Sequence, residues 1–335
     1  MADRPRALLA MSPEFLPQLF PEPLMRRLDA VLDFDPALIA RDYADPAAKA
    51  ALGEAEVIVS SWGAPPLNDE ALAAAPNLKA VLHAAGTVKW IISKAGWERG
   101  LAVSSSSGAN ALPVAEYTLA SILMAGKGIF QLREDFRKAR NFTLGYIHPQ
   151  VGNFGRTIGI VGASKIGRRV VELLRPFDFT VLLADPFVEA AEAAALGAEL
   201  VQLDELVARA DVVSVHAPDL PETEHLINAD RLAKMRDGTV VVNTARGRLV
   251  DTEALTVELL SGRLSAVIDV TEPEPLSAHS PLYDLPNVFL TPHVAGSHGN
   301  ELSRMGLFMV EEAERYVAGE PLLHRVDPET LWRQA

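Results

Sequence analysis

Along this chain, short apolar runs alternate with stretches in which apolar residues recur at helical spacing. Runs at 57–60, 78–83 and 101–104 predict strands, with helices expected at 69–75 and 90–99. From residue 157 the alternation resumes, with strands expected at 157–161, 179–184, 212–215, 239–242, 266–268 and 288–290. Helices such as 168–177 and 252–261 fall between them. The run through Ile158, Ile160 and Val161 is of the kind expected for a strand buried on both faces. Strands alternating with helices predict parallel, doubly wound sheets. Asn110 and Pro113 precede an apolar helical stretch at 114–124, and proline near a first helical turn marks a start, so the boundary between two domains is placed there. The mixed-sign segment 131–140 reads as a helix with a solvated face, and 141–153 as a loop. A final amphipathic helix is expected at 301–317, stopped by Gly319 and Pro321.

The pattern centres on TIGIVGASKIG at 157–167, where a strand runs into a glycine turn and then a helix. That order opens a dinucleotide-binding unit. The first glycine lets the chain turn sharply, the second admits a pyrophosphate, and the third lets helix and strand pack. Gly162 and Gly167 fit the first and third roles, while Ser164 stands at the second, with a hydroxyl able to donate to phosphate. Alone, the motif also fits an ordinary glycine-bearing turn. The next strand ends in Asp185, eighteen residues past Gly167. An acid there accepts hydrogen bonds from ribose hydroxyls and repels a 2′-phosphate, which favours NAD over NADP.

Composition changes the picture in three ways. At 335 residues the chain is too long for one simple core, so two domains are expected. A net charge of −13 argues against nucleic acid and anionic membranes, which want a basic face. The absence of cysteine excludes disulfides, thiolate metal sites and a cysteine nucleophile. No stretch has the apolar length of a signal peptide or of a membrane span, which needs about 18 residues, so a cytoplasmic location is expected.

In open α/β sheets, ligands bind beyond the carboxyl ends of the strands. Asp185, His216, Arg246, Asp269 and His293 all stand at such ends. The guanidinium of Arg246 suits bidentate capture of a carboxylate. His293 has the proton affinity for acid–base work near neutrality. A carboxylate from Glu272-Pro273-Glu274-Pro275 could fix its tautomer, and the residues alone do not choose between Glu272 and Glu274. Ala84-Ala85-Gly86-Thr87, at the end of another strand, could expose backbone N–H groups as an anion nest, or form an ordinary turn.

These pieces resemble the D-isomer-specific 2-hydroxyacid dehydrogenase family. The resemblance runs from about Leu78 to the C-terminal helix and is carried above all by NTARGRLVD at 243–251 and TPHVAGS at 291–297. It implies two Rossmann/flavodoxin-like domains, a discontinuous one for substrate at 1–110 plus 299–335, and an NAD-binding one at 111–298. It also implies a homodimer and an oxidoreductase that moves hydride between NAD(H) and C2 of a 2-hydroxy or 2-oxo acid. By this resemblance Arg246 binds substrate, His293 is the general acid/base, and Glu274 is its partner. Gly162, Ser164, Lys165, Ile166, Gly167, Asp185, His216, Pro218, Thr223, Thr244, Ala245, Asp269 and Gly296 are implied to contact NAD. Ala85, Gly86 and Asn110 are implied to contact substrate, with no metal. Ser164, the loop Thr87-Val88-Lys89-Trp90 without aspartates, and His298 depart from the family pattern. The alternative is a non-catalytic NAD-sensing regulator; a hydrolase using a metal on His279, His293 and His298 lacks an HExxH-type pair.

Overall fold

A computed structural model describes residues 4–141 and 151–331, and the chain divides into two compact units. One joins Met1–Asn110 to Ser297–Gln334, and the other spans Ala111–Gly296. Most of the loop expected at 141–153 lies outside the described residues.

The first unit holds β1 (Ala7–Ala10), β2 (Ile39–Ala40), β3 (Val57–Ser60), β4 (Ala80–His83) and β5 (Ala102–Ser105). They form a sheet in the order β2-β1-β3-β4-β5, with every pair parallel. Alternate residues serve opposite faces, as the pleat requires: Leu8, Ile58, Val81 and Val103 belong to one core layer, and Leu9, Val57, Val59 and Leu82 to the other. The helix Leu302–Ala318 buries Met305, Met309, Val310 and Ala313 in that second layer. A Cβ on its Gly306 would stand 1.8 Å from the Leu19 carbonyl oxygen, so a glycine is needed for so close an approach. The helix ends on Gly319 with φ 69°. The chain then runs antiparallel beside β5, where Val326 N–H donates to the Val103 carbonyl at 2.7 Å and Ser105 N–H to the His324 carbonyl at 3.2 Å. Glu312, fully buried in the helix, pins this tail: its carboxylate accepts from Leu323 N–H at 2.8 Å, His324 N–H at 3.2 Å and the Ser104 hydroxyl.

The second unit holds β6 (Thr157–Val161), β7 (Thr180–Ala184), β8 (Glu199–Leu200), β9 (Val212–Val215), β10 (Val240–Asn243), β11 (Ser265–Ile268) and β12 (Val288–Leu290). Their order is β12-β11-β10-β9-β6-β7-β8, again all parallel. The strand order reverses between β6 and β9, where a crevice opens in folds of this kind. Ile158 and Ile160 face one core layer and Val161 the other. Gly159 is glycine because a Cβ there would meet Leu206 Cδ2 at 2.4 Å.

Three expectations change. β1, next to the centre of its sheet, is absent from the sequence reading, because four apolar residues between Arg6 and Met11 have no period to display. The helix expected at 90–99 is only Lys94–Glu98, since Ile92 pairs with Leu67 and Ser93 then caps the helix through Gly96 N–H. The helix expected to open at Pro113 runs Ser107–Gly126 with the proline inside it. The ring removes one hydrogen bond, while Ala109, Ala115 and Ile122 are buried along the same helix. Among the described residues, no helix is long and apolar enough to cross a membrane.

Candidate active site

The turn after β6 is cramped. Gly162 has φ 98°, and a Cβ on it would stand 2.7 Å from Ala217 N, so no other residue fits. A Cβ on Gly167 would meet the Gly162 carbonyl oxygen at 2.1 Å. Ser164 has φ −63°, a conformation any residue adopts, which is why a serine can occupy this point of the turn. It caps the helix Lys165–Leu174, accepting the Gly167 N–H at 3.3 Å. Its hydroxyl proton stays available to a ligand. Lys165 and Ile166 form the first turn of that helix. Asp185, past β7, accepts Ala163 N–H at 2.7 Å and Phe187 N–H at 2.8 Å. It therefore ties the glycine turn to β7, and each oxygen keeps a lone pair for a further donor.

His216, just past β9, is fully buried, and its Nε2 lies 2.9 Å from the Ser214 hydroxyl. Nδ1 has no partner. Burial pushes its pKa down from 6.5 to about 3, so the ring is neutral. The chain then passes Pro218, whose carbonyl accepts the Thr223 hydroxyl at 2.6 Å. Thr223 in turn accepts Leu220 N–H at 2.9 Å, which closes the loop.

Past β10, Thr244 is buried with its hydroxyl 3.0 Å from that of Thr118. Asn243 braces the loop in both directions, accepting Ala245 N–H at 3.1 Å and donating to the Arg246 carbonyl at 2.8 Å. Arg246 is half-buried and donates to the Ala245 carbonyl at 2.6 Å. The next residue must be glycine, because a Cβ on Gly247 would lie 2.1 Å from the Thr271 carbonyl group.

Past β11 and β12 the chain brings together the acid and the imidazole. His293 Nδ1 lies 2.7 Å from Glu274 Oε1, and both side chains are about half exposed. Thr271 holds the glutamate's loop by donating to the Pro273 carbonyl at 2.8 Å. His293 itself is left-handed, with φ 57°. Asp269, only 2 % exposed, accepts Val294 N–H at 2.8 Å, Ala295 N–H at 2.9 Å and the Thr291 hydroxyl at 2.6 Å. Gly296 follows directly and is the last residue of the second unit. His293, Glu274 and Asp269 line an open cavity of about 800 Å³, with Arg133, Arg137 and Lys138 also on its wall. Those three cations come from the helix Ile129–Ala139, which buries no residue and which the sequence had marked as a solvated face. Arg246 does not line this cavity.

In the first unit, Ala85 is buried and Gly86 lies beside Asn110, whose Nδ2 would be 3.8 Å from a Cβ on that glycine. Asn110 Oδ1 accepts Ser297 N–H at 2.9 Å. Beneath this loop His83 is buried, its Nδ1 2.9 Å from the Ser60 hydroxyl, and burial brings its pKa to about 4. His298 heads the turn before the C-terminal helix, where its N–H donates to Glu301 Oε2 at 3.0 Å. Sequence reasoning missed the bracing by Asn243 and the hydroxyls of Tyr117 and Thr291. The signal for Asn243 was its place at a strand end, one turn before Arg246.

A family model described as the NAD binding domain of D-isomer specific 2-hydroxyacid dehydrogenases matches residues 119–295. The chain is similar to D-3-phosphoglycerate dehydrogenase of Mycobacterium bovis, 38% identical over 276 residues that make up 81% of this chain and 51% of the relative. It is 31% identical to glyoxylate reductase of Korarchaeum cryptofilum over 258 residues, 76% of this chain and 78% of that protein. A solved phosphoglycerate oxidoreductase from Rhizobium etli matches with a TM-score of 0.82 at 25% identity, covering 98% of this chain and 100% of that one. Apo D-mandelate dehydrogenase of Rhodotorula graminis matches with a TM-score of 0.80 at 27% identity, over 97% and 98% of the two chains. The chain spans about half the length of the D-3-phosphoglycerate dehydrogenases it resembles.

Proposed function

Because the chain belongs to the D-isomer specific 2-hydroxyacid dehydrogenase family, we propose that it reduces a 2-oxo acid to a 2-hydroxy acid, and the reverse, with NAD(H). The observation that carries this reading is the 2.7 Å pairing of His293 Nδ1 with Glu274, on a unit that matches the family's NAD-binding domain.

The residues fit the cofactor: the turn at Gly162 admits no side chain, Ser164 keeps a hydroxyl proton, and Asp185 keeps acceptor lone pairs. Gly162, Ser164, Lys165, Ile166 and Gly167 would hold the pyrophosphate at the helix N-terminus, and Asp185 the adenosine ribose. His216, Pro218, Thr223, Thr244, Ala245, Asp269 and Gly296 would complete its contacts. Bound NADH supplies the hydride.

The acid–base work belongs to His293. With Nδ1–H donated to Glu274, the doubly protonated ring carries its transferable proton on Nε2. The glutamate stabilises that charged ring, and the proton goes to the carbonyl oxygen as negative charge develops there. In the opposite direction Nε2 takes the hydroxyl proton. Arg246 is assigned to the substrate's carboxylate as a two-pronged donor, and Ala85, Gly86 and Asn110 of the first unit are assigned to substrate binding. The substrate class is a 2-oxo acid, and the assembly a homodimer.

Replacing His293 by alanine tests the reading. Turnover with a panel of 2-oxo acids should fall by about 10²–10⁴-fold, while NADH binding, followed by nicotinamide fluorescence, persists. Undiminished turnover would remove His293 from its role. Wild-type protein that binds NADH but oxidises none across the panel would favour the NAD-sensing alternative.

A further inference from the structure

A left-handed backbone at a non-glycine residue is held only by its surroundings. At His293, beside a bond from its N–H to the Thr291 carbonyl at 3.1 Å and the ring's contact with Glu274, one residue supplies a run of such restraints. The N–H groups of His293, Val294 and Ala295 donate in succession to the carbonyl oxygen, Oδ1 and Oδ2 of Asp269, at 2.8, 2.8 and 2.9 Å. Asp269 is buried, and among the described residues no arginine, lysine or histidine forms an ion pair with it. The direction of its carboxylate is therefore set by hydrogen bonds.

The two oxygens are made unequal by Thr291, whose hydroxyl donates to Oδ1 at 2.6 Å. Having one proton, Thr291 can only accept from its second neighbour, the Tyr117 hydroxyl, also at 2.6 Å. Tyr117 is thus the donor at the head of a chain that runs Tyr117, Thr291, Asp269. Its pKa is raised, chiefly by burial, so it keeps that proton. The tyrosine stands on the helix Ser107–Gly126 and packs against the core layer of Ile158 and Ile160. The chain of hydroxyls thus links the packed interior to the loop that carries the imidazole.

We propose that Tyr117 and Thr291 are positioning residues for His293, acting through the carboxylate of Asp269. This rests on His293 as the proton donor of the proposed reaction. Losing the Thr291 hydroxyl removes one of the three donors that orient the carboxylate and so loosens its hold on the Val294 and Ala295 N–H groups, which follow His293 directly. Losing only the Tyr117 hydroxyl leaves the Thr291–Asp269 bond in place and acts more weakly.

The test uses Thr291→Val, Thr291→Ser and Tyr117→Phe in the full chain, with two readouts. With NADH and a 2-oxo acid the wild type turns over, kcat should fall about tenfold in the valine variant, the scale of one hydrogen bond to a charged group. It should fall about threefold in the phenylalanine variant, with KM for the 2-oxo acid within about twofold of wild type in both. The serine variant should recover to within about twofold, because it restores the hydroxyl. Independently of activity, the His293 Nδ1–H resonance in proton NMR should broaden or shift in Thr291→Val and return in Thr291→Ser. A valine variant equal to wild type in both readouts overturns the proposal, as does a serine variant as impaired as valine, which would make the role one of shape. If Thr291→Val does not fold, Tyr117→Phe decides by the same two readouts. If the wild type reduces no 2-oxo acid, the functional reading fails while the resonance still decides the network.

Discussion

Glu312 offers the sharpest test of what holds the first unit together. Its carboxylate is fully buried and takes three donors, Leu323 N–H, His324 N–H and the Ser104 hydroxyl. Changing it to alanine leaves those donors facing a void. A hydrogen bond to a charged group contributes about 1.5–3 kcal/mol net, but the two tail N–H groups are only partly buried and regain some water. The tail also keeps its bonds to Val103 and Ser105 and the stacking of His324 on Phe308 at 4.3 Å. The loss should therefore fall below the full sum for three such bonds, at about 3–5 kcal/mol. For a unit of this size that lowers Tm by roughly 6–20 °C. Glutamine should cost about 1–3 kcal/mol: its amide can serve Leu323 and, with the hydroxyl turned, Ser104, but presents N–H to the N–H of His324. Every tryptophan of the chain falls within the first unit's residues, so tryptophan fluorescence during urea unfolding follows this unit selectively. An alanine variant within about 0.5 kcal/mol of wild type, the size of a neutral surface change, would mean the carboxylate contributes no net stability, and the reasoning would be wrong.

Two further outcomes follow from other groups. His83 stays neutral when folded because burial brings its pKa from 6.5 to about 4. Below pH 6.5 the unfolded chain takes up a proton that the folded one refuses, so stability present above that pH is lost as pH falls toward 4, by about 1.4 kcal/mol per pH unit; unfolding curves of His83→Gln at several pH values should show a slope shallower by that amount, and an unchanged slope would contradict the assignment. Gly162→Ala places a methyl 2.7 Å from Ala217 N at φ 98°, so stability should fall by at least about 2 kcal/mol and NADH affinity with it; thermal shift and fluorescence titration check this, and wild-type values for both would refute it.

The second unit was the more legible part of the sequence, for a physical reason. Its strands are apolar runs ending in polar residues, and its turns need glycine, so strand, turn and strand-end residue are each marked by composition. The pairing of Glu274 with His293 was readable only through the family resemblance, because Glu272 and Glu274 occupy equivalent settings between prolines. The first unit was less legible. β1 is four residues long, and its place next to the sheet's centre depends on partners far along the chain. Hidden hydrogen-bond chains such as Tyr117–Thr291–Asp269 leave no local trace, since their members lie 174 and 22 residues apart. Pro113 misled for the opposite reason: a strong local signal was outweighed by apolar burial on both sides of it.

The discontinuity of the first unit bears on how the polypeptide is born. Met305, Met309, Val310 and Ala313 fill the same layer as Leu9, Val57 and Leu82, yet the ribosome makes them after all of 111–296. During synthesis the early strands must wait with one face covered only in part, by Leu19, Phe20, Leu28 and Leu32, while the later-made second unit already has every strand of its own sheet. Nascent chains halted before residue 302 should consequently carry a complete five-stranded sheet with a sticky patch where its last helix belongs, and would be natural clients for whatever shields apolar surface at the exit tunnel.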